Sequence, residues 1–179
     1  MGTYGSKEMA ASFRTVRKNT IQIAEDIPED KYDFVGAPDT MSVAATLKHL
    51  VYSPGLYETI HGGAGVSTMV GFDFPVALGK MREAEQVTRS KAEIVGLLKS
   101  EGERFAAWLE SLSPEHLAET FTDGTGAQRT RLESLLSPKE HEMHHRGQLM
   151  LMERMLGIVP HVTRARQQRA QATGASPAR

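Results

Sequence analysis

Residues 130–157 read TRLESLLSPKEHEMHHRGQLMLMERMLG, and the fold prediction works outward from this stretch. Thr130 precedes Glu133 by three residues, which is the spacing of a capping box and predicts a helix start. Gly157 is the type of residue that ends helices. Pro138 removes one backbone hydrogen bond, so we expect the helix to bend there. The stretch therefore predicts a long last helix with a bend in its first half.

One face of this predicted helix carries both histidines and apolar side chains. His141 and His145 are four residues apart, so at about 100° per residue they lie on adjacent turns of one face. The same face continues through Leu149, Met152 and Leu156, which are apolar and are expected to point to the core. We therefore expect the two histidines to point inward, where two neutral imidazoles can bind one divalent cation.

Composition narrows the class of protein. The chain has 179 residues, which suits one domain with its own core, and a formal net charge of −1, which gives no sign of nucleic-acid binding. It contains no cysteine, which excludes disulfides, thiolate ligands and a cysteine nucleophile and fits a reducing cytoplasm. No apolar run is long enough for a membrane span, and the N-terminus lacks a secretory pattern. We expect a cytoplasmic protein with no nucleic-acid or membrane partner.

Three earlier segments also carry helical periodicity. They run over residues 6–26, 42–60 and 90–112. Pro54 lies inside the second segment and is expected to kink or shorten it. With the last helix they predict an all-α protein, a four-helix bundle that forms a single domain over residues 1–157.

The connections between these helices differ in character. Residues 61–75 are rich in glycine but lack the spacing of a phosphate-binding loop, and they begin a connection long enough for a crossover between the second and third helices. Residues 121–129 read as a looped excursion around Asp123-Gly124. Residues 158–179 form a basic tail, which we predict to be disordered and solvated rather than bound to nucleic acid.

A metal site on the last helix needs a third ligand from another helix. His49 is the candidate, because it lies mid-helix on the inward stripe of the second segment. His61, His116 and His161 fall in a loop, a helix start and the tail. Alone, His49 would be interpreted as a buried core histidine; with the inward histidine pair, it predicts a three-histidine site. Three protein ligands with open positions are typical of a catalytic metal.

Residues 141–145 also fit H-E-x-x-H, the motif of zinc peptidases in which Glu142 would be the general base. The context argues against this interpretation. Gln148 and Leu151 stand where the metzincin motif requires glycine and histidine. The gluzincin type requires a later glutamate ligand, and no acidic residue follows Glu153.

Glu101 interrupts the apolar stripe of the third helix, where a carboxylate is costly unless it is paired. It could orient a ligand histidine, accept a proton or pair with an arginine such as Arg17.

The last helix has a second apolar stripe opposite its histidines, and a helix that is apolar on two faces is buried on both. This pattern predicts a homodimer, unless residues 113–129 cover the stripe within one chain. Its members are Leu132, Leu136, Met143 and Met150.

The stretch His141-x-x-His144-His145-Arg146-Gly147-Gln148, preceded by His49 in Leu47-Lys48-His49-Leu50, resembles the DinB/YfiT-like superfamily over roughly residues 5–157. The resemblance implies a bundle in up-down-down-up order that is often dimeric. It implies a divalent metal on His49, His141 and His145. Relatives of this kind include thiol-dependent S-transferases and a mycothiol-dependent maleylpyruvate isomerase.

The functional prediction combines these points. We expect a divalent metal (Zn, Ni, Fe or Mn), a small-molecule substrate and an exogenous low-molecular-weight thiol, which suits a chain without cysteine. His144 is expected beside the site rather than on the metal. Two alternatives stay open: a hydrolase with the same ligands, and a non-catalytic stress-response or binding bundle. Residues 61–75 and 121–130 are the suspected walls of the substrate pocket.

Overall fold

The computed structural model describes residues 4–63 and 65–173, most of which lie in helices. Between α6 and α7 two short strands form an antiparallel hairpin in which Phe121 pairs with Arg129. The elements are α1 (Ser6–Asp26), α2 (Val43–Tyr52), α3 (Pro54–His61), α4 (Phe74–Gln86), α5 (Lys91–Ser111), α6 (Pro114–Ala118), β1 (Thr120–Thr122), β2 (Gln128–Thr130), α7 (Arg131–Leu135), α8 (Ser137–Met155) and α9 (His161–Thr173).

The long helices α1, α2, α5 and α8 form a four-helix bundle, in which α1 and α2 each pack against both α5 and α8. Helix α5 runs antiparallel to α1, because Arg14 pairs with Glu103 whereas Glu25, near the other end of α1, pairs with Lys99. Helix α8 runs parallel to α1. Its later residue Leu149 shares an apolar cluster with the end of α1, whereas α7 packs near the start of α1.

Helix α2 and its continuation α3 run parallel to α5. The carbonyl oxygens of Leu50 and Leu98 both accept hydrogen bonds from Arg17, and further along Glu58 pairs with Arg104. The order is therefore up-down-down-up. Two parallel neighbours need a connection that returns to the starting end, and the crossover that contains α4 provides it. The sequence prediction of the bundle and of the long crossover is confirmed.

Prolines divide two of the predicted helices. The segment predicted over 42–60 is α2 followed by α3, which begins at Pro54. The segment predicted over 130–157 is α7 followed by α8, with Pro138 in the first turn of α8. In both cases the missing amide proton is tolerated because it lies where a helix starts.

Two apolar clusters form the core, and a buried ion pair between Arg17 and Glu142 lies between them. One cluster is built on the second half of α1, α2 and the start of α5. Its members include Ile23, Ile27, Val43, Leu47, Leu50, Ile94, Leu98 and Leu149. The other surrounds the Phe13–Phe105 edge-to-face contact and includes Met9, Leu109, Leu117 and Leu135.

The basic tail differs from its prediction. Residues 158–179 were expected to be disordered, but residues 161–173 form α9, and residues 174–179 lie outside the described part of the chain. Arg164 pairs with Asp26 at 2.6 Å, and His161 Nε2 lies 3.1 Å from Asn19 Oδ1. A polar segment can be ordered by such contacts with a folded body, which composition alone does not reveal.

Most of the second apolar stripe is covered within the chain. Leu132 and Leu136 pack against the cluster that contains Leu117 of α6, and Met150 packs against the other cluster. Met143 is 44% exposed. Residues 113–129 thus help to cover Leu132 and Leu136, whereas Met143 stays exposed. The homodimer stays a prediction. Among the described residues, no helix combines the length and apolar character that crossing a membrane requires.

Candidate metal centre

Helices α2 and α8 bring three histidines together. His141 Nε2 lies 3.1 Å from His49 Nε2 and 3.1 Å from His145 Nε2. The three potential ligand atoms lie within 4.8 Å of one another. These are the three residues that the sequence analysis singled out, drawn from two helices separated by the crossover and α5.

The outer nitrogens of two of these rings are held by hydrogen-bond acceptors. His49 Nδ1 donates to Glu85 Oε1 on α4 at 2.9 Å, and His145 Nδ1 donates to Gln148 Oε1 at 2.8 Å. A carboxylate and an amide oxygen can only accept, so each Nδ1 carries the proton. Each Nε2 therefore presents a lone pair to the centre of the cluster.

This arrangement fits a metal ion. The lone pairs of His49 and His145 both face His141 Nε2, and one proton there can satisfy only one of them. A cation satisfies all three nitrogens. Tetrahedral coordination at the usual zinc–nitrogen bond length separates ligand nitrogens by about 3.3 Å, close to the observed 3.1 Å.

Burial favours the neutral form of two of these imidazoles, His141 and His145. Desolvation, followed by the neighbouring histidines, lowers the pKa of His141 to about 4. Desolvation also lowers the pKa of His145, although the hydrogen bond to Gln148 opposes the shift. Near neutral pH the lone pairs of His141 and His145 are therefore available to a cation.

His144 lies outside the cluster, packs edge to face against the His145 ring at 5.0 Å between centroids, and is also linked to it through Gln148. Gln148 Nε2 donates to His144 Nε2 at 3.2 Å while Gln148 Oε1 accepts from His145. His144 thus has the position beside the site that the sequence analysis expected.

Glu142 faces away from the histidines. It is buried, and Arg17 donates to both of its carboxylate oxygens at 2.9–3.1 Å. The same guanidinium also donates to the carbonyls of Leu50 and Leu98. A glutamate held in this way cannot act as the base of a zinc peptidase, so the H-E-x-x-H interpretation fails on geometry as well as on context.

Sequence reasoning missed this ion pair. Arg17 was considered as a partner of Glu101, but Glu101 instead accepts from Arg104 at 2.7 Å. Gly102 leaves room for the Arg17 side chain, since a Cβ there would lie 2.7 Å from Arg17 Cγ. A glycine inside a long helix was the available signal for this close approach.

Glu85 was also missed, because its helix α4 was not predicted. A carboxylate that accepts from the outer nitrogen of a ligand histidine fixes the ring and raises its basicity. The sequence gives no spacing rule for this contact, because 36 residues separate Glu85 from His49.

His61 provides a contrast inside the same fold. It ends α3, is fully buried, and lies outside the cluster. Arg131 donates to its Nδ1 at 3.2 Å, and its Nε2 donates to Ser134 Oγ at 2.8 Å. Both ring nitrogens have partners within the chain, so His61 is a structural histidine.

A pocket of about 310 Å³ adjoins the cluster. His145 and Gln148 form one part of its wall. The rest comes from the loop before α2 and the later part of α8, namely Gly36, Ala37, Asp39, Thr40, Met41, Leu151, Met152 and Met155. The suspected walls at 61–75 and 121–130 contribute none of these residues, since those two segments pair with each other through Thr68 and Thr122.

Comparisons with known proteins agree with this geometry. The chain is 27% identical to the uncharacterized protein YjoA of Bacillus subtilis (strain 168) over 154 residues, which are 85% of this chain and 91% of that protein. The crystal structure of YjoA, a DinB-like protein, superposes with a TM-score of 0.62 over 84% of this chain and 92% of that chain.

Two more distant structures share the fold. YfiT from Bacillus subtilis, a probable metal-dependent hydrolase with an unusual four-helix bundle topology, has a TM-score of 0.65 at 15% identity and covers 88% of this chain and 91% of its own. The mycothiol-dependent maleylpyruvate isomerase has a TM-score of 0.62 at 11% identity and covers 83% of this chain and 63% of its own. The model of the DinB superfamily matches residues 12–149, which include all three clustered histidines. The chain therefore belongs to the DinB superfamily.

Proposed function

We propose that the chain is a divalent-metal-dependent enzyme that transfers an exogenous low-molecular-weight thiol to a small electrophilic molecule. The metal is held by His49, His141 and His145. The observation that carries the proposal is the convergence of three Nε2 atoms, with the outer nitrogens of His49 and His145 held by Glu85 and Gln148.

The chain's own residues hold and orient the site. Glu85 and Gln148 keep two rings in the tautomer that directs lone pairs inward. Burial keeps His141 neutral, with its pKa lowered to about 4. A divalent cation bound there would lower the pKa of a thiol or a water in an open position.

The chain contains no cysteine, so a sulfur nucleophile has to come with a cosubstrate. In the transfer, a carbon–sulfur bond forms, the bond from that carbon to the leaving group breaks, and the thiol proton passes to solvent. The mycothiol dependence of the maleylpyruvate isomerase that shares the fold supports a thiol as cosubstrate.

A metal-dependent hydrolase is the second candidate. It is favoured by the likeness to YfiT, a probable metal-dependent hydrolase whose fold this chain shares over most of both chains. It would use the same three histidines with water in place of the thiol, so a requirement for thiol separates the two activities.

The first experiment measures bound metal in tag-free protein by elemental analysis. We expect about one equivalent of a divalent metal in the wild type and its loss in His49→Ala and His145→Ala. His144→Ala is the matched control, because it removes a neighbouring histidine that lies outside the cluster, and it should keep its metal. A wild type that binds no metal when Zn, Ni, Fe and Mn are offered under reducing conditions would leave a non-catalytic binding role.

The second experiment tests the reaction. 1-Chloro-2,4-dinitrobenzene is offered to the metal-loaded protein with and without a thiol such as cysteine or mycothiol. We expect thioether and chloride when thiol is present, at a rate above that of the uncatalysed reaction, and His49→Ala should lower this rate to the uncatalysed one. Equal turnover to dinitrophenol without thiol would instead identify a hydrolase.

A further inference from the structure

We propose that the pocket between the 36–41 loop and α8 binds an apolar chain or ring of the substrate, whose reacting end lies at the histidine cluster. Only the position of the substrate's reacting end at the histidine cluster rests on the proposed function; the binding of an apolar group in the pocket does not. The binding of an apolar group can be tested without a metal, so the two can fail separately.

The pocket and the cluster share a wall. His145 lines the pocket, and its Nε2 lies 3.1 Å from His141 Nε2. Gln148, which holds the outer nitrogen of His145, lines the same pocket. A molecule that fills the pocket therefore contacts residues of the cluster. The volume of about 310 Å³ is at the lower end of the range for small-molecule sites.

The lining selects apolar groups. Met41, Leu151, Met152 and Met155 are the large apolar side chains of the wall, and methionine side chains adapt to differently shaped partners. Leu151 is 59% exposed and Met155 is 53% exposed, which is unusual for large apolar side chains on one face of a long helix. Covering them with an apolar group would remove this surface from water.

Several polar atoms of the wall already have partners. Gln148 uses its oxygen for His145 and its amide nitrogen for His144. Thr40 Oγ1 donates to the carbonyl of Ala37 at 2.7 Å. Asp39, the charged residue of the wall, is exposed to solvent. Recognition of the group that fills the pocket would therefore depend mainly on apolar contact, and we expect tolerance among substrates that differ in the shape of this group.

The loop side of the pocket is firmly placed. Val35 and Ser42 form a β-bridge that closes the loop. At Gly36 an added Cβ would make ordinary van der Waals contacts, 3.4 Å from Met152 Cγ and 3.6 Å from Met155 Sδ, so the loop lies beside the methionines. The pocket therefore exists before a ligand binds, which avoids the free-energy cost of ordering the loop.

The test uses n-alkanols from butanol to octanol, with binding measured by ligand-detected NMR. We expect affinity to rise about fourfold per methylene until the pocket is full, in wild type and in metal-free His49→Ala alike. Leu151→Asn/Met155→Asn should remove most of this dependence. Met143→Asn is the matched control, since Met143 is an exposed methionine of α8 outside the pocket.

Affinities that do not depend on chain length, or that the double variant leaves unchanged, would overturn the pocket proposal. Light scattering adds a further check: a double variant that changes from dimer to monomer with unchanged alkanol affinities would assign this face to a second copy and overturn the proposal.

Alkanethiols of the same lengths then test the link to the cluster. In metal-loaded wild type they should bind more tightly than the alkanols, and in His49→Ala they should not. Equal affinities in both proteins would overturn the link and the proposed function while the alkanol result still supports the pocket.

Discussion

The histidine cluster and the Arg17–Glu142 pair lie on different sides of one turn of α8, and they differ in how their polar atoms are satisfied. Glu142 accepts three hydrogen bonds from Arg17, whose remaining donors reach backbone carbonyls. At the adjacent residue His141, Nε2 faces the lone pairs of His49 and His145. It carries at most one proton, which can form a hydrogen bond with only one of them. A buried polar group whose hydrogen-bond partners all lie within the chain, such as Glu142, has a structural role. Several acceptor atoms that converge on one point, as in the histidine cluster, indicate a site for a bound cation.

The largest effect is expected from breaking the satisfied pair. Arg17→Met leaves Glu142 buried and without its partner, which should lower the free energy of unfolding by about 3–5 kcal/mol. Urea denaturation measures this loss, and metal content per folded protein should not change. Arg17→Met/Glu142→Leu should regain more than half of the lost stability, because it replaces both charges with apolar side chains.

Arg14→Met is the control for this pair. Arg14 pairs with Glu103 on the protein surface, and exposed ion pairs contribute up to about 1 kcal/mol. If Arg17→Met destabilises the protein no more than Arg14→Met, then Arg17–Glu142 is not a structural centre of the bundle.

Glu153 extends the comparison, because it is a buried polar group without convergent neighbours. Neither of its carboxylate oxygens has a hydrogen-bond partner among the described residues. Burial, followed by the negative charge of Asp26, raises its pKa from 4.5 to about 7. An isolated acceptor of this kind can be satisfied by a proton, so it does not by itself indicate a metal.

The sign of the pH effect follows from this raised pKa. Below about pH 4.5 Glu153 is protonated in both the folded and the unfolded states, and its stabilising contribution is complete. As pH rises to about 7 the unfolded chain releases its proton first, so stability falls by roughly 3 kcal/mol and then stays level.

Glu153→Gln should remove that fall and stabilise the protein at pH 8 but not at pH 4. Thermal or urea unfolding at both pH values measures the difference. Glu140→Gln, an exposed change on the same helix, should leave the pH profile as it is. A profile that is the same in wild type and Glu153→Gln would show that Glu153 has an ordinary pKa in the folded protein.

A smaller effect is expected from the carboxylate that orients the cluster. Glu85→Gln keeps an acceptor for His49 Nδ1 but removes the charge, which should weaken metal affinity by about 10-fold to 100-fold. Competition with a chromogenic chelator measures the change. Glu83→Gln, on an exposed position of α4, is the control. Unchanged affinity in Glu85→Gln would mean that α4 only covers the site.

The sequence made the clustering of the three histidines predictable because their spacing has direct geometric meaning. His141 and His145 are one helical turn apart, and His49 lies on an inward stripe. The capping box at Thr130 likewise identified a helix start, and it is present in the structure. These signals are local, so a single chain is sufficient to show them.

Other features could not be predicted for physical reasons. Helices α4 and α9 were not predicted: neither has a buried residue, and α9 is too polar to show the apolar stripe by which a helix is recognised in a sequence. Glu85 was missed together with α4. The partner of Glu142 is 125 residues away, and only packing brings Arg17 to it. The pocket wall at 36–41 depends on how a loop meets α8, which no local pattern encodes.

The smallest effect is expected at Gln148, the neutral counterpart of Glu85. It holds His145 Nδ1 through an uncharged amide oxygen, and hydrogen bonds to neutral acceptors are about half as strong as those to charged ones. Gln148→Leu should therefore weaken metal affinity by about 2-fold to 10-fold, less than Glu85→Gln. His144→Ala, which removes a ring that packs against His145 and accepts from Gln148 but points no nitrogen at the cluster, should weaken affinity less than Gln148→Leu does.

Gln148→Glu sharpens this last point, because a carboxylate there would give His145 the same kind of partner that His49 has. We expect tighter metal binding than in the wild type, measured with the same chelator. If Gln148→Leu weakens binding as much as Glu85→Gln, the charge of the acceptor is not what matters, and both residues act by fixing ring orientation. If Gln148→Glu weakens binding, the amide nitrogen that donates to His144 is needed to hold Gln148 in place. The neutral acceptor would then be part of the site's geometry rather than a weaker form of the Glu85 contact.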